Sequence, residues 1–566
     1  MKHTYQRLAF YTSLLLAASC TSQALGDDEE RDANPPSVRI VAPERGTVLV
    51  AEEVWVSGYA SDDVGVDRIE VNGVVANLQV DGYFEALVPA PTGLTLLQTV
   101  VADAAGNRAT DTRSVMSGDL RVSDARVDDA LVARLNEQTF SALGTMTGNI
   151  METTDYAAIA APLNPVIEMG GSCLGAQFDL LDVAMSEAVV DLVPIDGGLA
   201  VSIEVFDLDV DLFARFAVAC IDGSSTVGIT ADRLLITGRV PITLSGDEIL
   251  VDIVDVESTI DGLDLDVGIL PDAIVDLANG LIESQVESIL VDTLEQDVAT
   301  MVEDFLAGFA TTGQAFMIFG EEVVVTAAPT RLDFTTEGGT IVLDSHVDVT
   351  GSVGVGYVAS PRPLPSSVVL DATGQGLRLG LADDMVNQAL SAFWSSGALN
   401  LSFDLGSEDG NSSTLGDLVD AVQINMLLPP YARAEVVGES VQVTLGDMLV
   451  DIIDKSDRGE EVITRLAVSA TIELGLESGA NGELRLVTST PSVWVDVIDQ
   501  GIEGANILAD EQIEALASAA TGRVAAILDD LVGALPIPVF GGVSIVDTTL
   551  ETATGYLLLG GTLEAP

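Results

Sequence analysis

The sequence is poor in basic residues and almost without lysine and histidine. Its 566 residues include 23 Lys plus Arg against 88 Asp plus Glu, a formal net charge of -65. Lysine occurs only as Lys2 and Lys455, and histidine only as His3 and His346. Neutralising the phosphates of a nucleic acid requires clustered Lys and Arg, so this composition excludes nucleic acid as a partner.

The scarcity of histidine also limits the chemistry. If the N-terminus is cleaved, His346 alone remains, which is too little for a Ser-His-Asp triad or a His-rich zinc site. The sequence contains no Gly-x-Ser-x-Gly, phosphate-loop, His-Glu-x-x-His or Cys-x-x-Cys motif. We therefore expect a protein that is not an enzyme. Carboxylate-only glycosidase chemistry stays open, although no pair stands out among the acids.

Apolar residues, in contrast, are abundant. They make up 48% of the chain, and the mean hydropathy is +0.40. High charge indicates disorder only when hydrophobicity is low, so the chain is expected to fold. Its length predicts about three to four domains. Because the acids are spread along the whole chain, the simplest interpretation is an acidic surface over an apolar interior.

The N-terminus has the features of an export signal. Lys2 and Arg7 precede an apolar run from Leu8 to Ala18, which is too short to span a bilayer. The run ends in Leu-Ala-Ala-Ser before Cys20, which resembles a bacterial lipobox, whose cysteine becomes the lipidated first residue. The alternative is an ordinary secretory signal.

Several expectations follow from the lipobox. Residues 1–19 are removed, residues 20–36 form a flexible tether, and the chain is lipid-anchored to the outer membrane of a bacterial cell envelope. Cleavage removes Lys2 and Arg7 but no acidic residue, so the formal net charge becomes 21 − 88 = -67. No later stretch offers ~18 uncharged apolar residues, so no transmembrane helix is expected.

Two cysteines remain once Cys20 is lipidated. An even pair in an oxidising compartment predicts one disulfide, Cys173–Cys220. Closing that loop would stabilise the fold by roughly 3–4 kcal/mol in the chain-entropy model. Two buried free thiols are the alternative.

Residues 37–117 show short strands separated by turn signals such as Asn72-Gly73. Their pattern suits a β-sandwich and resembles bacterial immunoglobulin-like domains of surface proteins. Asp62, Asp63 and Asp103 are weak calcium candidates, since hard cations take clustered carboxylates; no other cofactor is expected. Turn residues that hydrogen-bond their own backbone are the favoured interpretation of these acids, and a spacer that lifts the main body off the membrane is the favoured role of the domain.

Residues 120–566 contain two copies of one unit. A helix is predicted from Val127 to Met146, beginning at Asp128-Asp129 and placing Leu131 and Leu135 one turn apart. Its counterpart runs from Leu381 to Ser395 and begins at Asp383-Asp384. Longer helices are predicted to open at Leu270 and Leu508, each followed by closing strands.

Long strands are predicted between the helices. Phe206–Leu212 and Leu263–Val267 alternate acidic and apolar residues, which puts the carboxylates on one face and the apolar side chains on the other. A solvated outer face is the favoured interpretation of these Asp-x-Asp runs, with calcium ligands as the alternative. A Pro-rich linker over residues 358–367 separates the two copies.

Several of these segments resemble the bactericidal/permeability-increasing and lipopolysaccharide-binding proteins. The similar stretches are Leu377–Leu381, Ala392–Leu401 and the final strands from Leu535 to Gly560. The resemblance covers about 120–566. It implies an α+β fold with two tandem tubular lipid-binding barrels, each a long antiparallel curled sheet plus two helices, joined by a central sheet and preceded by the β-sandwich. The barrels are residues 120–357 and 368–566.

In that family each barrel holds an apolar pocket for the acyl chains of a phospholipid or similar lipid. The residues expected to line the two pockets, each of which could instead be plain core, are Leu131, Leu135, Val286, Ile289 and Leu290 in the first half, and Val386, Leu390, Phe393, Val524, Ile527 and Leu528 in the second. The resemblance thus predicts a membrane-anchored lipoprotein that binds or transfers lipid. The alternative is a non-enzymatic adhesion or scaffold protein that uses the immunoglobulin-like domain.

Overall fold

The computed structural model describes most of the chain after residue 31. The described residues are 32–278, 288, 291, 298–318, 320–360, 362–371, 375–404, 420–434, 437–438, 440–456, 459–478, 484–499 and 544–564. The predicted signal, Cys20 and most of the tether lie outside them. So does the helix predicted to open at Leu508.

The N-terminal unit consists of two sheets packed face to face. Its strands are β1 (Ser37–Ala42), β2 (Thr47–Leu49), β3 (Glu53–Ser61), β4 (Val66–Val71), β5 (Val74–Val75), β6 (Asn77–Leu78), β7 (Tyr83–Pro89), β8 (Gly93–Asp103) and β9 (Arg108–Ser117). The strand orders are β1-β3-β7-β6 and β2-β9-β8-β4-β5. Alternate side chains such as Val56, Phe84 and Leu97 form the core between the sheets. The predicted tight turn joins β4 and β5, with positive φ at Asn72 and Gly73.

The first half of the remaining chain forms a sheet of very long strands. Its elements are β10 (Leu120–Arg121), β11 (Val127–Leu135), α1 (Glu137–Thr153), α2 (Tyr156–Ala160), β12 (Ile167–Gly171), β13 (Leu174–Ala184), β14 (Glu187–Ile195), β15 (Gly198–Val218), β16 (Ile221–Ser245), β17 (Glu248–Val251), β18 (Val254–Asp261), β19 (Asp264–Asp266), α3 (Asp272–Ala278), a helical stretch α4 over residues 298–307, β20 (Thr311–Ile318), β21 (Glu321–Thr335) and β22 (Gly338–Val349). A single 3₁₀ turn, Ala161–Leu163, follows α2. In β15, Asp207, Asp209 and Asp211 are exposed while alternate apolar side chains are buried, as the sequence pattern predicts.

Over its described residues, the second half has a similar order of elements. They are β23 (Tyr357–Val358), α5 (Ser367–Leu370), β24 (Leu377–Ala382), α6 (Asp383–Ser396), β25 (Leu401–Asp404), β26 (Ala421–Met426), β27 (Tyr431–Ala434), β28 (Val437–Gly438), β29 (Ser440–Ser456), β30 (Gly459–Ser478), β31 (Leu484–Thr488), β32 (Ser492–Asp499), β33 (Ser544–Ala553) and β34 (Tyr556–Glu564). Long strands β29 and β30 form the centre of a curled sheet, as β15 and β16 do in the first half. The chain is mostly β-structure with few helices.

One eight-stranded sheet joins the two halves. Its order is β20-β21-β22-β11-β24-β34-β33-β28, so four strands come from each half. The strands that precede α1 and α6 meet at its centre, where Leu131 of β11 pairs with Leu381 of β24. Each is flanked by the closing hairpin of its own half. This arrangement places corresponding elements of the two copies in corresponding positions.

The prediction of a helix from Val127 is wrong. Residues Val127–Leu135 form β11, so Leu131 and Leu135 lie four residues apart on a strand. Backbone pairing with β22 on one side and β24 on the other determines this conformation. Helix α1 begins only after Asn136, whose side chain caps it. Asp128-Asp129 therefore does not correspond to Asp383-Asp384, whereas the predicted second helix is confirmed as α6.

The predicted disulfide is present and its cysteines are exposed. Cys173 and Cys220 lie in the adjacent turns of the β12–β13 and β15–β16 hairpins, with their Cα atoms 3.9 Å apart. The alternative of two buried free thiols is therefore wrong. Among the described residues, no helix combines the length and the apolar character needed to cross a membrane.

Candidate functional site

A strip of half-covered apolar side chains lies along the first half. On β15, alternate side chains from Leu199 to Leu212 are buried. On β18 and β19, by contrast, the inward-facing Val256, Ile260 and Leu265 are only half-buried, although they pack against the same core. Val275 of α3 has the same intermediate exposure. We call Val256, Ile260, Leu265 and Val275 the apolar strip; it is one part of the inner face whose apolar surface is incompletely covered.

The opposite edge of the sheet is closed by α1. Gly144 and Gly148 face β14, where an added Cβ would lie 2.1 Å from the Val190 carbonyl oxygen and 2.3 Å from that of Ala188. Only glycine permits such a close approach of the helix to the strand. No guest molecule fits between α1 and β14, whereas the apolar strip is half-covered.

The structure distributes the predicted lining residues between core and partly covered positions. Leu135 is fully buried in the first core, and Leu390 and Phe393 are buried in the second. Leu131 is half-buried and contacts both cores, and Val386 is half-buried against the second. The other six predicted lining residues lie outside the described residues: Val286, Ile289, Leu290, Val524, Ile527 and Leu528.

A buried charge cluster attaches the N-terminal unit to the second half. Arg45 contacts Asp447 at 2.5 Å, Asp496 at 3.1 Å and Asp111 at 3.5 Å. The Asp447 side chain is 0% exposed and also accepts hydrogen bonds from the backbone N–H groups of Gly46 and Ser114. The N-terminal unit thus packs on β29 and β32, and its role as a spacer that lifts the main body off the membrane stays a prediction.

The charges in this cluster are not balanced. Three carboxylates surround Arg45, and Arg113 is the other guanidinium nearby. Burial, and then the charge of Asp111, raise the pKa of Asp496 to about 6 from its ordinary value of 3.8, against the hydrogen bonds from Thr112 and Arg45. The ionised form of Asp496 is therefore held in the folded state at a cost in free energy.

A second buried cluster connects the linker to α6. Asp384 pairs with Arg362 and accepts a hydrogen bond from the Ser360 backbone N–H. Asp383 accepts one from the Ala434 backbone N–H. Burial, and then the adjacent Asp384, raise the pKa of Asp383 to about 6. The residues of the predicted Pro-rich linker are thus bound to the start of α6.

These raised pKa values predict that mild acidification stabilises the protein at both clusters. Between pH values of about 4 and 6 the folded state binds more protons than the unfolded chain. The stabilisation by protonation is therefore complete below the ordinary aspartate pKa of 3.8 and is lost as the pH rises through about 6. Protonation of each of the two carboxylates, Asp383 and Asp496, contributes up to about 3 kcal/mol to the free energy of unfolding. We expect Asp496→Asn to raise the Tm at about pH 7.5 and to reduce the difference in Tm between about pH 5 and pH 7.5.

The matched control is Asp209→Asn, which removes an exposed carboxylate from β15. Differential scanning calorimetry of the three proteins at both pH values measures the effect. An Asp496→Asn protein whose pH dependence equals that of the wild type would contradict the assignment.

The calcium candidates are only partly brought together. Asp62 and Asp63 lie with Asp32, and an oxygen atom from each is within 4.8 Å of the others. Asp62 also accepts hydrogen bonds from the Val64 and Gly65 N–H groups, as a turn residue does. Asp103 is buried apart from them and accepts hydrogen bonds from Gly106 and Asn107. Calcium binding therefore stays a prediction for Asp62 and Asp63.

His346 lies in a structural network. Its Nδ1 is 3.2 Å from Nε2 of Gln388, whose Oε1 accepts a hydrogen bond from the Val347 backbone N–H. Gln388 also donates to the carbonyl oxygens of Ser123 and Ala125. These contacts join β22, α6 and the segment before β11.

Sequence reasoning did not find the apolar strip or the Arg45 cluster. The strip had a signal, because Val254, Val256 and Ile260 alternate with acidic or hydroxyl residues. The cluster had none, because Arg45 and Asp447 are separated by 402 positions. Only the folded chain brings them together.

Comparison with known proteins gives matches among solved structures alone. No protein-family model and no curated protein matches the sequence. A lipopolysaccharide binding protein is similar over 78% of this chain and 100% of its own, with 13% identity and a TM-score of 0.41. P47 of Clostridium botulinum E1 covers the same shares with 9% identity and a TM-score of 0.26. P47 from Clostridium botulinum A2 matches over 78% of this chain and 99% of its own, with 8% identity and a TM-score of 0.23.

Proposed function

We propose that this chain binds lipid by sequestering acyl chains between a helix and the inner face of a long curled sheet. The observation that carries the proposal is the apolar strip, in which Val256, Ile260, Leu265 and Val275 are half-covered beside the buried apolar side chains of β15. Apolar surface that the protein does not cover itself gains free energy when a ligand covers it. For an acyl chain the gain is about 0.8 kcal/mol per buried methylene.

The distribution of charge supports binding of the uncharged hydrocarbon tail of a lipid, and not of its head group. Acidic side chains such as Asp207, Asp209 and Asp211 occupy the outer face of β15, and the inner face carries apolar ones. A net charge of -65 disfavours a direct grip on anionic head groups. Binding is therefore expected to depend on burial of hydrocarbon, with a phospholipid or another acyl lipid as the ligand.

The proposal also covers where the protein is located and whether it catalyses a reaction. We propose that Cys20 carries a lipid anchor that holds the protein at the outer membrane of a bacterial cell envelope, as the lipobox-like sequence predicts. We also propose that the protein acts without covalent chemistry. In support, His346, the one histidine that would remain after cleavage, is engaged with Gln388.

Mass spectrometry of gently purified protein tests lipid binding. We expect co-purifying acyl lipid, and we expect Ile260→Asp to lower the lipid-to-protein ratio at least about fivefold, because it places a charge on the apolar strip. Val256→Trp should have a similar effect by filling the space, and it keeps the test valid if Ile260→Asp does not fold. Val189→Asp, on the exposed face of β14, is the control and should keep the wild-type ratio.

The absence of lipid from several preparations of the wild-type protein would overturn the proposal. Equal lipid content in the wild type and in both strip variants would show that the apolar strip is not the binding surface.

One observation favours the adhesion alternative. On the outer face of the β1-β3-β7-β6 sheet, Trp55 lies opposite Leu87 and Tyr59 opposite Tyr83. Trp55 and Tyr59 are 59% and 52% exposed. Exposed aromatic side chains are typical of binding surfaces. In that alternative, Trp55→Ser abolishes adhesion to cells, and no lipid is found in the purified protein.

A further inference from the structure

The inner face of the first long sheet continues outward beyond the core. Strands β12, β13, β15 and β16 end together at the hairpin turns that carry Cys173 and Cys220. Phe178 of β13 pairs with Ala214 of β15, and both are buried. Phe216, the next residue of β15 on the same face towards the turn, is half-buried. The face therefore stays apolar while its protein cover decreases.

The outermost row is apolar and open to solvent. Leu174 pairs with Val218, and Val218 pairs with Ile221, so their three side chains lie side by side on the same face. Leu174 is 48% exposed and Ile221 is 72% exposed. We call this row, with the two turns that bear it, the apolar tip.

The tip is almost without charge in a very acidic protein. Segments 169–178 and 216–231 contain one charged residue, Asp222, in a chain of which 20% is charged. Asp222 pairs with Ala217, one position away from Ile221 and therefore on the opposite face of the sheet. No carboxylate thus interrupts the exposed apolar row.

The disulfide holds the two turns of the tip together. Besides the bond between their side chains, the Cys220 backbone N–H donates to the Cys173 carbonyl oxygen at 3.3 Å. Leu174 and Ile221 each follow one of the two cysteines directly. The exposed side chains are therefore presented as a fixed group, and little conformational entropy is lost when the group is bound.

The composition of the tip distinguishes between two kinds of partner. Protein interfaces are enriched in Trp, Tyr and Arg, and the exposed row has none of these. Exposed aliphatic side chains gain free energy when they enter the hydrocarbon of a lipid surface, and binding there scales with the apolar area that is buried. Elsewhere the acidic surface repels an anionic membrane, so the uncharged tip is the place where this chain approaches a bilayer at the lowest electrostatic cost.

We propose that the apolar tip, formed by Leu174, Val218 and Ile221 between the disulfide-linked turns, inserts into a lipid surface. This proposal rests on the proposed function for its role, because it makes the end of the lipid-binding face the point of contact with a membrane. Such a contact would allow a lipid-binding protein to exchange lipid with the bilayer. Its measurement is nevertheless independent of the lipid content of the protein.

Vesicle flotation tests the proposal with the full-length chain carrying Cys20→Ser, so that a lipid anchor does not itself attach the protein to the vesicles. The vesicles are phosphatidylcholine alone or phosphatidylcholine mixed with phosphatidylglycerol. We expect binding to the neutral vesicles and weaker binding to the anionic ones. Leu174→Asp and Ile221→Asp should each reduce partitioning at least about tenfold, because each places a charge in the inserted row.

Two controls accompany these variants. Val368→Asp introduces the same charge at a residue of α5 that is 79% exposed, away from the tip, and should leave partitioning unchanged. Ile221→Leu keeps an aliphatic side chain and should retain binding. Circular dichroism and the absence of free thiols establish that each variant is folded with the disulfide closed.

The outcomes separate this proposal from the proposed function. Vesicle binding that Leu174→Asp and Ile221→Asp leave intact overturns the role of the tip, even when lipid co-purifies. Loss of self-association in those variants, without an effect on vesicles, also overturns it and identifies the tip as a contact between copies. If the protein never contains lipid but binds vesicles, and the tip variants lose that binding, the result supports insertion of the apolar tip and contradicts acyl sequestration.

Discussion

Arg45→Ala is expected to cost about 3–5 kcal/mol of stability at neutral pH. The substitution leaves Asp447, whose side chain is fully buried, and the nearby Asp496 without the guanidinium that both contact. Arg113 lies nearby, but its own guanidinium donates to the carbonyl oxygens of Ile40 and Pro43. Uncompensated buried carboxylates then favour separation of the N-terminal unit from β29 and β32.

Chemical denaturation and hydrogen exchange measure this effect. Exchange should accelerate at the backbone N–H of Ser114, which donates to Asp447. Arg68→Ala is the matched control, because Arg68 pairs with Glu70 on the surface of the same unit and is 58% exposed. Such surface pairs contribute about 0–1 kcal/mol. Equal losses in the two variants would show that the cluster does not hold the units together.

Acid should partly rescue the Arg45→Ala protein. Burial already raises the pKa of Asp496 to about 6, and removal of Arg45 takes away a charge that lowers it. The folded variant can therefore neutralise Asp496 at a higher pH than the wild type. The stability difference between the two proteins should become smaller as the pH falls from about 7.5 to about 5.

Gly144→Val is expected to destabilise the first half by about 3 kcal/mol or more. The new side chain would overlap the Val190 carbonyl oxygen of β14, since even its Cβ would lie 2.1 Å from that atom. Neither the helix nor the strand can move away without disturbing the buried side chains of Phe140 and Leu143. Gly148→Ala should also destabilise, although alanine favours an exposed helix by about 1 kcal/mol over glycine.

Thr145→Val is the control for this pair, because Thr145 is exposed on the same helix and receives the same β-branched side chain. Thermal unfolding of the three proteins gives the comparison. If Gly144→Val were as stable as Thr145→Val, α1 would not pack closely on β14, and a second possible location for lipid would open beside it.

The repeats show how far the sequence predicts the fold. Helix α6, the start of α3 and the closing hairpin β33–β34 follow from acidic helix starts, proline and strand patterns that act within a few residues. The first helix was predicted ten residues too early, from Val127 instead of Glu137. Its apparent start, Asp128-Asp129, lies on β11, where pairing with two neighbouring strands overrides local propensity.

The candidate sites divide in the same way. Cys173 and Cys220 were recognisable as a pair because only two cysteines remained to be matched. The three residues of the apolar tip were not recognisable as a group, because Leu174 is separated by more than forty residues from Val218 and Ile221. Strand register aligns them.

The amino-acid sequence by itself determined the acidic outer surface, the alternation that gives each long strand one apolar face, and the disulfide pair. These properties depend on composition and on a period of two residues, which is local. Only the tertiary structure decided which apolar faces remain half-covered, which carboxylates surround Arg45, and where the apolar row meets solvent. Those properties depend on how segments distant in the chain pack together, and local patterns contain no information about that packing.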